Sequence, residues 1–319
     1  MSLGSLAKRA ARRSVALTCA WYLADDWRAR RRLAAGDLAT RSGARHAALD
    51  VEASLAYIER LHGDYLAYGG RERFAGTVAE IGPGDNFGVA LLLLGGGADA
   101  VHAIDRYRPR RDAAAQVRIY QALAGRHDLA ACFDGPPSER AIRGLTYHPG
   151  RAAESFFRET EITFDAVLSR AVLEHLYDPL AALDDMAARL NPGGIMVHRI
   201  DLRDHGMFAG RHPLTFLTVP DGIYRAMTRG AGRPNRVLLP AWRDWLDRSG
   251  LTGALRVTRL AGVAGEVAPA TWDDLDRALR DQALATVAQI RPRLADSLRA
   301  FDDRDLAVSG CLLVAEKSR

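Results

Sequence analysis

Side chains that could move a proton follow residues 195–200, an apolar run with the composition of a buried strand. His205 comes shortly after this run, together with the acids Asp201 and Asp204. Histidine is the natural general base near neutral pH, and a neighbouring carboxylate can orient its imidazole. Ligands of open α/β sheets bind beyond the carboxyl ends of the strands. The segment therefore predicts His205 as general base at the mouth of an active site, oriented by Asp201 or Asp204.

Other histidines offer alternatives. His175 is the second candidate base, whereas His198 lies within the strand itself and is expected to be packed. His198 and His205, with the acids around them, could instead hold a divalent metal, because oxygen and imidazole ligands can converge at a strand end. Glu174 beside His175 offers a second arrangement, but the neighbouring residue types do not complete a metal set. We therefore predict no metal site.

A glycine turn, Gly82-Pro83-Gly84, follows the apolar residues 77–81. Glycine accepts positive φ and lets the backbone approach a ligand, so the turn is expected to form a pocket floor. Asp105 ends the next predicted strand roughly 20 residues further on, the spacing at which a carboxylate accepts the hydroxyls of a ligand ribose. The pattern indicates half of a nucleotide-binding βαβ unit, with a ligand that has an adenosine-like end.

Two later stretches extend this pattern. Residues 169–179, which include Val-Leu-Glu-His, follow a predicted strand at 164–168, and Leu-Asn-Pro-Gly-Gly at 190–194 precedes another. Together with the glycine turn they resemble class I S-adenosylmethionine-dependent methyltransferases. In that family E-x-G-x-G follows strand one, an acid ends strand two, a VLEH segment follows strand four, and L-x-P-G-G introduces strand five. The resemblance spans about residues 57–317.

The resemblance implies S-adenosyl-L-methionine as cofactor. Asn86 stands where the family has a third glycine, and asparagine enters left-handed conformations more readily than most residues. The acid that often meets adenine after strand three is missing from residues 147–153, so adenine would be held by backbone groups, Ala153 or Glu154. The cofactor contacts implied by the resemblance are Glu80, Gly82, Gly84, Asn86, Asp105, Arg106, Ala153, Ser169 and Tyr65.

A dense basic run follows Asp105 at residues 106–111. Arg106 or Tyr107 could stack on adenine, and the run could receive an anionic acceptor. The alternative is a solvated loop. Both interpretations stay open at the level of sequence.

The fold implied by the resemblance is α/β, with a Rossmann-like, seven-stranded, mostly parallel sheet and a terminal antiparallel hairpin. N-terminal helices and a lid insertion are added to it. We expect a basic helical extension at 1–50 and a methyltransferase domain at 51–319, with a lid insertion at 206–240 and a helical insertion at 272–301. The helix before strand one often covers the cofactor in this family, so Tyr65 and Tyr68 could touch its methionine end. The alternative is that both are amphipathic core residues.

The N-terminal extension carries an apolar run at 14–24 between basic segments, far shorter than the ~20 residues that span a bilayer. A helix here is expected to pack on the catalytic domain, and the alternative is a helix lying on an anionic membrane. The apolar face of that helix comprises Leu17, Ala20, Trp21, Ala24 and Trp27.

Composition excludes some classes. Lys and Arg number 44 against 39 acids, for a net charge of +5, but the arginines are scattered among acids, which favours a solvated basic surface over nucleic-acid binding. The three cysteines lie far apart and show no disulfide or zinc spacing. A cytoplasmic protein, with peripheral membrane contact as an alternative, is expected.

The function predicted from these observations is methyl transfer to a small molecule or glycan unit in secondary metabolism or polysaccharide assembly. O-methylation with a histidine base is the expected chemistry, because the protein must position the acceptor and remove its proton. The alternatives are a non-catalytic binding protein of this fold, a membrane-surface protein, and a nicotinamide-dependent oxidoreductase. The last would need glycine at Phe87, where the sequence offers Gly88 instead. The oligomeric state is not defined by the sequence.

Overall fold

The computed structural model describes residues 14–40 and 45–319. Seven strands form one sheet in the order β5-β3-β2-β6-β7-β9-β8, in which β9 runs antiparallel to both of its neighbours and the other pairings are parallel. The predicted fold class is thereby confirmed. The strands are β1 (Ala39–Thr40), β2 (Gly76–Ile81), β3 (Ala98–Asp105), β4 (Arg108–Pro109), β5 (Leu145–Pro149), β6 (Phe164–Arg170), β7 (Leu190–Asp201), β8 (Thr252–Leu260) and β9 (Val308–Glu316).

Helices cover both faces of this sheet, and β1 pairs with β4 as a separate short parallel ribbon. Strands covered on both faces are nearly continuous apolar runs, as β2, β6 and β7 are. The helices in the described residues are α1 (Val15–Ala34), α2 (Val51–Gly69), α3 (Gly88–Gly95), α4 (Ala113–His127), α5 (Ala153–Glu159), α6 (Pro179–Ala188), α7 (Asp221–Thr228), α8 (Leu239–Arg248), α9 (Arg277–Ile290) and α10 (Asp303–Ala307).

Side chains cap the backbone where two elements begin. Helix α3 starts at Gly88, because the side-chain oxygen of Asn86 accepts the Gly88 amide at 2.5 Å and holds the preceding residues in a turn. The last strand, β9, starts at Val308. Asp302 caps the short helix α10 just before it.

Helix α1 packs on α7, which lies within the predicted 206–240 insertion. The buried Asp26 accepts the Gly230 amide at 2.8 Å and the Arg30 Nε at 2.9 Å. A side chain at Gly230 would overlap Arg30 and Asp26, so glycine is needed for this close approach. The basic residues of the predicted N-terminal extension before residue 14 lie outside the described residues.

The face of α1 that packs inward is not the apolar one. Leu17 and Trp27 are 52% and 56% exposed, and Ala20 and Ala24 are exposed between them. The helix packs on the domain as expected, with Trp21 of the apolar face partly buried against the core, but the rest of that face points outward. The reason is polar bonding on the opposite face, whose buried residues are Thr18, Cys19, Tyr22, Asp26 and Ala29. Among the described residues, none of the helices combines the length and hydropathy needed to cross a bilayer.

Candidate functional site

A cavity of about 700 Å³ opens at the carboxyl ends of β2, β3 and β6. Its wall is formed by the glycine turn, the start of α5, parts of α1 and α2, the turn after β6, and residues 231–233 of the insertion. Small-molecule sites usually measure ~300–1,000 Å³. The cavity lies where ligands of open α/β sheets bind and is large enough for a nucleoside with a small acceptor.

The glycine turn presents its backbone to this cavity. Gly82 and Gly84 have φ of 71° and 74°, and a Cβ on Gly82 would lie 2.6 Å from Val172 Cγ2. Arg111 donates from Nη2 to the Gly84 carbonyl at 3.0 Å and stacks 4.1 Å from the centroid of the Phe87 ring. One side of the glycine turn is therefore open to a ligand, and Arg111 supports the other side.

Asn86 lines the cavity, but its role differs from the one predicted. The non-glycine residues with positive φ in the described chain are Asp128, Ala171 and His205, so Asn86 does not replace glycine through a left-handed backbone. Its side chain instead accepts the Gly88 amide and donates to Gln116. These bonds shape the turn through side-chain contacts, which explains how the family's third glycine can be absent.

Two carboxylates line the cavity from strand ends, Glu80 buried and Asp105 partly buried. Glu80 on β2 is 4% exposed, its Oε2 has no hydrogen-bond partner within the described residues, and burial raises its pKa to about 8. Burial also raises the pKa of Asp105 to about 6, although the Tyr107 amide and Arg111 act to lower it. Carboxylates buried with so few partners fit a site that meets the hydroxyl and ammonium donors of a nucleoside amino acid.

Arg106 and Ala153 both line the cavity. The Nη2 of Arg106 donates to both carboxylate oxygens of Glu154 at 2.9 Å, and its guanidinium lies 4.0 Å from the centroid of the Tyr177 ring. Glu154 is therefore bonded to protein groups rather than left for adenine. Ala153 has no polar side chain there, so it offers adenine an apolar wall and its backbone.

Ser169 and Tyr68 do not lie on the cavity wall. Ser169 is fully buried and its Oγ is 2.8 Å from His198 Nδ1, because β6 continues to Arg170 and keeps Ser169 inside the sheet. The predicted cofactor contact of the Ser169 side chain is therefore wrong. Tyr68 lines a different, open cavity, whereas the buried Tyr65 lines the main one. His198 is packed as predicted, and burial lowers its pKa to about 3.

Of the histidines predicted as bases, His175 is the one that reaches the cavity, which His46 also lines. It ends the short turn Leu173–His175 after β6, and its Nδ1 lies 2.8 Å from the carbonyl oxygen of Gly232. A carbonyl only accepts, so Nδ1 carries the hydrogen and Nε2 has the free lone pair. Burial, with a further contribution from His205, lowers the pKa of His175 to about 4, so the ring is neutral at pH 7.

His205 lies behind His175 rather than on the cavity wall, which corrects the predicted position of the base. The two rings are 4.9 Å apart between centroids. The Nε2 of His205 is 3.5 Å from Asp201 Oδ2 and 3.6 Å from Glu174 Oε1. A left-handed backbone at His205, with φ of 48°, turns the chain back under the turn after β6.

The two acids predicted to orient His205 have different partners. Asp204 accepts the amides of Gly206 and Phe208, which closes a tight turn and does not orient the imidazole. Burial would raise the pKa of Asp201, but hydrogen bonds from Arg203 and His205 hold it below the ordinary value. Asp201 is therefore the ionised carboxylate that faces His205.

Glu174, His175 and His205 place one ligand atom each within 4.8 Å of one another, the only such group of three found in the described residues. Glu174 is fully buried, and burial raises its pKa well above the ordinary value, with the amides of Glu174 and Asp201 opposing this in part. A set of two imidazoles and a carboxylate can accept a proton or hold a divalent metal. The group contains Glu174 and His175 from one metal arrangement considered in the sequence, and His205 from the other.

Several residues at the site were not singled out from the sequence. Asp85, directly after the glycine turn, is 1% exposed and accepts the amides of His46 and Ala47 at 3.2 and 3.0 Å. Arg170 lines the cavity and pairs with Asp64. The sequence shows an acid, Asp85, directly after the glycine turn and a cation, Arg170, at a strand end. Their partners lie too far away in the chain to be predicted from the sequence.

Comparison with known proteins agrees with this geometry. A family profile described as a methyltransferase domain matches residues 51–260, more than half of the chain. The chain belongs to the class I S-adenosylmethionine-dependent methyltransferases. It is an enzyme of that family with S-adenosyl-L-methionine as cofactor, which removes the oxidoreductase and the non-catalytic alternatives. No curated protein matched the chain.

A search of solved structures found methyltransferases that are similar to this chain. The N-methyltransferase NodS from Bradyrhizobium japonicum, in complex with S-adenosylhomocysteine, is 16% identical over 82% of this chain and 87% of its own, with a TM-score of 0.40. Phosphoethanolamine N-methyltransferase 2 from Haemonchus contortus is 15% identical over 81% of this chain and 52% of its own, with a TM-score of 0.42. Identities this low bear on the fold alone.

Proposed function

We propose that this methyltransferase methylates a hydroxyl group of a small molecule or glycan unit, and that His175 accepts the hydroxyl proton. The observation that carries the proposal is the bond from His175 Nδ1 to the Gly232 carbonyl. It fixes the tautomer whose Nε2 can accept a proton, on the wall of the same cavity that contains the glycine turn.

The cofactor fits the residues on the opposite side of this cavity. The backbone of Gly82 and Gly84 would form the floor under the cofactor, Asp105 would accept its ribose hydroxyls, and Glu80 would meet its amino-acid end, since all four residues line the cavity. When bound, S-adenosylmethionine supplies a methyl group on a sulfonium, which needs no further activation. The protein's part is then to exclude water, align the acceptor and receive its proton.

His205 and Asp201 support the proton transfer from behind His175. A positive charge forming on the ring of His175 is stabilised by the negative charge of Asp201. His205 lies between that carboxylate and the ring, so its part is to position and not to contact the acceptor. In this proposal His205, the base predicted from the sequence, acts through His175 and does not contact the acceptor.

The wall of the cavity also favours an acceptor with negative charge. Arg32 and Arg45 both line it, and the guanidinium of Arg45 lies 4.3 Å from the centroid of the Tyr57 ring. We propose that an anionic group of the acceptor binds on this side, under a lid formed by the 206–240 insertion. Roles in secondary metabolism or polysaccharide assembly, and a cytoplasmic location, stay predictions from the sequence.

A paired acceptor screen tests the proposal. Transfer of labelled methyl from S-adenosylmethionine would be measured with hydroxylated acceptors, such as sugar nucleotides and phenolic acids, beside amine analogues of the same compounds. The proposal expects label in acid- and base-stable ether linkages on the hydroxylated members. Transfer confined to the amines would contradict it. A second assay with a metal chelator would distinguish proton acceptance from metal binding by Glu174, His175 and His205. If the chelator abolishes methyl transfer and Mn²⁺ restores it, these residues are metal ligands.

A further inference from the structure

The outward face of α1 is an apolar stripe with no partner in the described chain. Leu17, Leu23 and Trp27 are 52%, 37% and 56% exposed. The exposed Ala20 and Ala24 fall between them at the three- and four-residue spacing of one helical face. Large apolar side chains grouped in this way on a surface mark an interaction site.

The direction in which this stripe faces is fixed by the other side of the helix. Asp26 is 1% exposed and bonded to the Gly230 amide and to Arg30. Arg233 pairs with Asp25 and lies 4.9 Å from the centroid of the Tyr22 ring. Turning the stripe inward would leave the buried Asp26 and the largely buried Arg233 without these partners, which is unfavourable. The stripe therefore faces away from the protein.

The charges of α1 add to the argument. Its two acids, Asp25 and Asp26, both face Arg233. The exposed Arg28 and Arg31 border the stripe, and the Arg31 guanidinium lies 4.6 Å from the centroid of the Trp27 ring. An apolar stripe with arginines beside it is the composition of helices that lie in the interface of anionic bilayers. A second copy of the chain fits less well, because it would bring like charges together.

The same helix forms part of the cavity wall. Ala29, Arg32 and Leu33, on and beside its inner face, line the cavity that holds the glycine turn. A membrane against the outward face of α1 would therefore lie close to the site where the acceptor binds. Acceptors anchored in that membrane would have a short path to the cavity.

We infer that α1 docks this methyltransferase on an anionic bilayer surface, and that its acceptor is an amphiphilic molecule held at that surface. The docking stands on the exposed stripe and its arginines. The part that concerns the acceptor rests on the proposed function. The two parts are separable, because vesicle binding can be measured without turnover.

Co-sedimentation with vesicles tests the docking. The wild-type protein is expected to sediment with phosphatidylcholine vesicles that contain phosphatidylglycerol, less so at high salt, and not with phosphatidylcholine alone. The double variant Leu17→Glu/Trp27→Glu should bind at least ~10-fold more weakly, because charged side chains enter the interface poorly. The charge-matched control Ala278→Glu/Ala300→Glu, at exposed positions on α9 and in the loop after it, should bind like the wild type.

Three results would overturn the inference. These are absence of wild-type binding to anionic vesicles, equal binding by the stripe variant, or loss of binding when only residues 1–13 are removed. Light scattering adds a fourth, since a wild-type dimer that the stripe variant converts to monomer would assign the face to a second copy. Unchanged affinity of the stripe variant for S-adenosylhomocysteine shows that the fold is kept. Failure of hydroxyl methylation with vesicle binding intact would count against the proposed function alone.

Discussion

The Nδ1 of His175 lies 2.8 Å from the carbonyl oxygen of Gly232. This bond joins the turn after β6 to Gly232, a cavity-lining residue of the predicted 206–240 insertion more than 50 residues later in the chain. It sets the tautomer of the histidine on the cavity wall. Movement of the Gly232 carbonyl would therefore change which tautomer is favoured for His175, the proposed base.

Replacing His205 by alanine is expected to shift the pH profile of the enzyme. The nearby His205 ring contributes to the lowered pKa of His175, so its removal should raise that pKa from about 4. A base acts in its deprotonated form, and activity is lost as pH falls through its pKa. The acidic limb of kcat/KM should therefore move to higher pH. Histidine NMR titration of both proteins measures the same shift directly, and an unchanged His175 pKa would remove His205 from this positioning role.

Asp105 is expected to make cofactor binding depend on pH. Its pKa of about 6 means that the carboxylate predominates above that pH and the neutral acid below it. The carboxylate is the better acceptor for ribose hydroxyls, so affinity for S-adenosylhomocysteine should fall as pH drops below about 6. Calorimetry across this range gives the measurement.

Variants at Asp105 provide the control for this titration. Asp105→Ala should weaken binding by about 1.5–3 kcal/mol, or roughly tenfold to a hundredfold, through loss of charge-assisted bonds. Asp105→Asn should bind weakly at every pH and lose the step near pH 6. A step that survives in the asparagine variant would place the titrating group elsewhere, with Glu80 as the next candidate.

Asp26→Ala is expected to detach α1 without unfolding the domain. The substitution leaves the Gly230 amide without its acceptor and Arg30 without its partner, a loss of about 1–3 kcal/mol. The loss falls on the contact between α1 and α7, so amide hydrogen exchange should accelerate in those helices while the central sheet stays protected. Acceleration throughout the sheet would show instead that α1 is part of the global folding unit.

The parts of the site that follow from local sequence were predictable. The glycine turn, the strand before it and Asp105 lie within one βαβ unit, and their types and spacing carry the signal without any distant contact. Asn86 was placed correctly on the wall, but its side-chain bonds to Gly88 and Gln116 depend on α4 packing beside it. The sequence therefore indicated where Asn86 lies, but not which hydrogen bonds its side chain makes.

The errors share a different physical origin, in contacts between residues far apart in the chain. Helix α1 packs on the domain as expected, but the face that it buries could not be foreseen, because Asp26 accepts the Gly230 amide from 204 residues away and turns that face inward. Whether His175 or His205 lies nearer the cavity depends on the left-handed backbone at His205. The spacing of residues in the sequence does not indicate that conformation. Ser169 was misplaced because the register of β6 on β7 pairs it with His198 inside the sheet.

The central claim is that His175 accepts the acceptor's proton, and His175→Asn tests it most directly. The asparagine amide can keep the bond to the Gly232 carbonyl, but it lacks the atom equivalent to Nε2. Single-turnover methyl transfer to a hydroxylated acceptor should fall by ~100-fold or more, while the Kd for S-adenosylhomocysteine stays within a few-fold of the wild type. A methyl-transfer rate within a few-fold of the wild type would contradict the claim.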